Sequence, residues 1–98
     1  MSLHQQHQRG VEAAQVLENE AYKQAMASLR AEIVNQWKAC PVRDKEGQLL
    51  LLQLAKLTDK FEGILSGLVE SGKFAKRKLI EDELRNENAV KRMMRRVI

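Results

Sequence analysis

At 98 residues the chain is long enough for one domain only, and a helical unit of that size has a thin core. Aromatic residues make up 4%, too few for a stacking platform on single-stranded nucleic acid, whereas 44% apolar and 31% charged residues fit a folded helical protein rather than a disordered one. The single cysteine excludes an intramolecular disulfide and a multi-cysteine metal site, and no apolar run reaches the roughly 18 residues needed to span a membrane. The net charge of +4 is unevenly placed: Lys73–Ile98 holds nine Lys/Arg and four Asp/Glu, whereas Met1–Gly72 holds eight and nine. The basic character belongs to the C-terminal quarter and suits an anionic partner there, against the plainer reading of a solubilised surface helix.

Residues 1–10 are polar and rich in Gln and His, and are expected to be mobile. They lack the basic start and apolar centre of a signal peptide. His4 and His7 have helical spacing for a metal pair, but no third ligand stands near them in the sequence, and no metal is expected. A first helix is predicted over about 11–39. Tyr22, Met26, Leu29, Ile33 and Trp37, followed by Cys40, recur with a period near 3.6 and form one apolar stripe. Upstream, Gln15, Glu18 and Asn19 interrupt that stripe, so the packed half of the helix is Tyr22–Trp37.

Pro41 ends this helix, because proline lacks an N–H and forces the residue before it out of the helical region. Asp44 is placed to cap a second helix predicted over about 45–71, and Glu46 lies near the positive end of its dipole. Leu50, Leu54, Leu57, Phe61, Ile64 and Leu68 recur at alternating spacings of four and three, a second stripe on one helix face. Gly72 is expected to stop the helix as a left-handed C-terminal residue. A link of five residues between two long helices favours an antiparallel hairpin, with Leu57 and Phe61 against Met26, Leu29 and Ile33.

A third, basic helical segment is expected over about 73–98, either unbroken or interrupted at Asn86–Asn88. Its apolar half includes Ala75, Leu79, Ile80, Leu84, Val90, Met93, Met94, Val97 and Ile98. Lys73, Lys76, Arg77 and Lys78 form one basic cluster, and Lys91, Arg92, Arg95 and Arg96 another. Such clusters can neutralise phosphates, although no zinc-finger spacing or RNA-binding aromatic motif accompanies them. The expected fold is thus a single all-α domain: a long antiparallel hairpin with a basic amphipathic C-terminal segment.

Leu49 and Leu52 flank the second stripe and point elsewhere, which makes them a candidate oligomer contact unless the third segment folds back over them. Gly63 and Gly67 lie four apart on one helix face, where they either admit another backbone or are simply tolerated. Trp37 and Cys40 read as packing residues, since no histidine is near to activate the thiol. Glu18, Glu20 and Glu32 fit a solvated face. No nucleophile, base and oxyanion donor can be assembled, so neither an enzyme, a small-molecule substrate nor a cofactor is expected.

Residues Leu17–Tyr22, Trp37–Pro41, Arg43–Gly47 and Glu70–Lys73, reading LENEAY, WKACP, RDKEG and ESGK, resemble a group of small proteins encoded by tailed bacteriophages and prophages. The resemblance covers about residues 17–84 and excludes the basic end Lys91–Arg96. It implies a helical-hairpin protein encoded among packaging and virion-assembly genes, and it carries over no catalytic residue. The expected role is a homo-oligomeric, non-enzymatic module in virion morphogenesis or DNA packaging. Its partner would be a phage structural or packaging protein, and its place the cytoplasm of an infected or lysogenic host, or the virion. The alternative is a packaging or regulatory accessory that binds nucleic acid through the basic segment, with DNA as the partner.

Overall fold

The computed structural model describes residues 2–97, without the side chain of Val97; Met1 and Ile98 lie outside the described residues. Three helices account for nearly all of it: α1 (Leu3–Glu18), α2 (Glu20–Ala39) and α3 (Lys45–Val97). The fold is all-α, and the helix expected over 11–39 is two helices. The first begins eight residues earlier than its apolar pattern, because Ser2 and Gln5 close a capping box. The Ser2 hydroxyl accepts from the Gln5 N–H at 3.1 Å, and the Gln5 side-chain oxygen accepts from the Ser2 N–H at 3.1 Å. Residues 3–10, expected to be loose, are therefore helical and packed on α3.

Asn19 divides α1 from α2. Its backbone is extended at φ −68° and ψ 126°, its N–H donates back to the Val16 carbonyl, and its side chain accepts from the Tyr22 N–H at 3.0 Å. One residue thus ends one helix and caps the next. The turn at 40–44 follows the expected chemistry, with the Asp44 carboxylate accepting from the Gly47 N–H at 3.0 Å.

Beyond the turn, α3 runs unbroken for 53 residues. Gly72 does not end it, and no glycine among the described residues has a positive φ. Gly72 instead permits a close crossing. A Cβ placed on Gly10 would stand 2.7 Å from the Gly72 Cα, and one on Gly72 would stand 2.7 Å from the Gly10 Cα. Only hydrogen at both positions lets α1 and α3 approach so closely. Ala13 and Ala75 are buried beside this crossing, and the Gln6 side-chain amide donates to the Ser71 carbonyl and hydroxyl. α1 and α2 both run antiparallel to α3. The segment of α3 beyond about residue 80 continues alone, and the third segment expected at 73–98 is its extension. The molecule is a rod of 83 × 26 × 16 Å, set by a helix of about 80 Å at 1.5 Å per residue.

A candidate assembly face on helices two and three

The second apolar stripe does not face α2 as expected. Toward α2, α3 turns Thr58, which is buried, and Leu51, Ala55 and Glu62, which are half-buried. That face lies about a quarter turn from the stripe at 3.6 residues per turn. Two interactions fix the rotation. The Thr58 hydroxyl donates to the Leu54 carbonyl at 2.8 Å, so this polar residue is satisfied within its own helix. The Arg30 guanidinium on α2 donates to Asp59 at 3.1 Å and to Glu62 at 2.9 Å, gripping two carboxylates one turn apart.

The stripe itself continues past Leu68 through Gly72, Ala75 and Leu79 at spacings of four, three and four. α1 covers that C-terminal half. Among the described residues no helix closes over the N-terminal half: Leu50 is 58% exposed, Leu57 62%, Phe61 51% and Ile64 55%, with Leu54 also exposed. On α2, Met26 is buried and Tyr22 and Ile33 are half-buried, but Leu29 and Trp37 are exposed. The expected neighbours Met26, Leu29, Ile33, Leu57 and Phe61 do come together, with Leu54 and Thr58. They line an open groove of about 460 Å³ rather than a closed core.

Leu49 and Leu52 are both exposed. The C-terminal part of α3 does not fold back over them, because it extends away from the hairpin. Leu52 lines a second groove with Ile33, Val34, Trp37, Leu51 and Ala55. Gly63 and Gly67 face open space, and a Cβ on either meets no atom within 4 Å.

The basic residues are exposed along α3 rather than gathered into a pocket. Lys73 pairs with Glu70 at 3.3 Å, Lys78 with Glu81 at 3.6 Å and Lys91 with Glu87 at 3.6 Å. Among the described residues, Lys76, Arg77, Arg92, Arg95 and Arg96 form no ion pair, and they stand on several sides of the helix.

Cys40 lies beside Asp44. Burial, then the Asp44 charge and its hydrogen bond, push the thiol pKa up, which disfavours a reactive thiolate. Tyr22 packs on Phe61 with ring centroids 6.5 Å apart, and its hydroxyl is enclosed without a hydrogen-bond partner. Burial and the nearby Glu62 charge raise its pKa, opposed by Arg30.

The contact of α1 with α3 was not visible in the apolar pattern, although Ser2–Gln5 and the small residues Gly10, Ala13 and Ala14 signal a capped, close-packing helix. The Arg30 clamp and the inward Thr58 left no sequence signal, because each depends on which α3 face meets α2. No family model, characterised protein or solved structure matches this chain.

Proposed function

We propose that the chain is a non-enzymatic helical assembly module that works as a homo-oligomer, in the setting of phage virion morphogenesis or DNA packaging. One observation carries this reading: the apolar stripe of α3 is covered by α1 at one end and bare from Leu50 to Ile64. A monomer that exposes a continuous row of large apolar side chains has a partner for it. The resemblance of residues 17–84 to small phage proteins supports the setting, in which the module would work in the host cytoplasm or the virion beside a structural or packaging protein. Replacing Leu54 and Leu57 together by Glu is expected to lower the solution mass to that of a single chain while helicity is largely kept. An unchanged mass in that variant would contradict the assignment of this face.

A second reading is favoured by the free basic groups on the projecting end of α3. There, Arg92, Arg95 and Arg96, with Lys91, bind the phosphates of duplex DNA. Counterion release predicts a slope of about −0.9 per contact in a log–log plot of affinity against salt, hence near −3.6 for four contacts. Replacing all four by Gln is expected to weaken binding to every sequence alike, since phosphate contacts carry no base information. Absence of binding at low salt would leave an acidic protein surface as the partner.

A further inference from the structure

We infer that the bare stripe of α3 is covered by the same stripe of a second copy, running antiparallel about a two-fold axis between Leu54 and Leu57. This pairing rests on the homo-oligomeric reading above and gives it a geometry.

Area points to a second copy. The chain exposes 8097 Å², whereas a compact monomer of 11.2 kDa exposes about 5,700 Å² by the usual mass scaling, an excess of roughly 2,400 Å². A standard stable interface takes about 800 Å² from each partner, so a third of that excess suffices. The groove also continues an interface already formed, since the row that runs from Leu50 to Phe61 is the one α1 covers at Gly72 and Ala75.

The direction follows from α1. A two-fold pairing of parallel helices must be in register, so the partner helix would continue along the stripe onto Gly72. There α1 already approaches to the limit that two glycines allow. An antiparallel helix instead leaves the stripe beyond the start of α3 and never reaches the crossing. The last turn of α1 is joined to α2 and leaves Ile64 and Phe61 exposed, so the entry is open.

The register follows from the spacing together with the crossing: a centre between Leu57 and Phe61 would set the partner helix opposite Gly72, where α1 already lies, and one between Leu50 and Leu54 would leave Leu57 and Phe61 without apolar partners. Four-three alternation places one seam position opposite the other in an antiparallel pair. Leu50 then meets the partner's Phe61, and Leu54 meets the partner's Leu57, twice each by symmetry. The same step brings Met26 and Leu29 of α2 against the partner helix, filling the groove from its side.

Spin labels test direction separately from assembly. In a Cys40→Ser background, single labels at exposed Lys60 and Glu70 lie about 14 Å and 44 Å apart along the axis in this arrangement, at 1.5 Å per residue. A parallel pair would bring both label pairs within roughly 20 Å, since its axial offset is zero and helix axes pack about 10 Å apart. A short distance at position 60 with a long one at position 70 supports the pairing. Short distances at both positions, or long ones at both, in a protein of oligomeric mass overturn it and leave the homo-oligomer standing. A single-chain mass, with helicity confirmed by circular dichroism, removes both.

Discussion

Tyr22 is the chain's one tyrosine, so its ionisation can be followed by phenolate absorbance without interference from another. Its hydroxyl is enclosed against Phe61 and faces the Glu62 charge, and both effects favour the neutral phenol. The folded chain is expected to titrate at a midpoint above the ordinary value of about 10, and the urea-unfolded chain at that value. Because the folded pKa is the raised one, its contribution to stability is complete below about pH 10 and is lost as pH climbs through the folded value. Tyr22→Phe should remove that alkaline loss, and, since it deletes a hydroxyl with no partner, should not lower the melting temperature at neutral pH. A folded-state midpoint at or below the unfolded one would show that the ring is not enclosed as described. Arg30 stands next to this site and fixes the rotation of α3 through Asp59 and Glu62, so the few polar residues between α2 and α3 set which apolar face is left open.

Gly63 and Gly72 of α3 predict opposite outcomes. Gly63→Ala puts a methyl group into open space and should stabilise the fold by about 1 kcal/mol, the helix-propensity difference. Gly72→Ala drives a methyl group into the α1 backbone and should cost about 1–3 kcal/mol, as overpacking does. Denaturant melts at one protein concentration compare the two, and a stabilising Gly72→Ala would rule out the tight crossing. The same glycine shows where sequence reading stops. Residue 72 carries no apolar side chain, so in the sequence the stripe ends at Leu68, and the Ser-Gly-Lys run reads as a helix stop. Only the arrival of α1 explains the glycine, and α1 was hidden because its docking face is built of Gly10 and Ala13 rather than leucines. The features held by local chemistry were legible: the helical class, the end of α2 before Pro41 and the Asp44 cap. Met26, Leu29, Ile33, Leu57 and Phe61 line one open groove, so the periodicity marked its residues without marking a closed core. What the periodicity lacked was rotation. A stripe defines a face that must be covered, but not which helix covers it, and here α2 meets the adjacent face through Thr58 and Glu62.

At the scale of the molecule, the fold is a scaffold with little interior. The radius of gyration is 22.9 Å, against about 13 Å for a compact domain of this length. The buried apolar side chains among the described residues are Ala13, Met26 and Ala75, while Trp37, Phe61 and a row of leucines stand exposed. So small a core supports little stability by itself, and association is a common way for small domains to complete one. A rod that pairs through the N-terminal half of α3 also leaves both basic ends free and pointing away from each other, available to phosphates or acidic surfaces. Association then stabilises the folded chain by mass action, and the melting temperature should rise with protein concentration. Sedimentation equilibrium from about 1 to 200 μM shows whether a second copy covers the Leu50–Ile64 face, because mass action populates the pair as concentration rises. The expected result is a mass of twice 11.2 kDa, or an even multiple of that pair, at the upper concentrations. A folded protein that remains at 11.2 kDa throughout would contradict it.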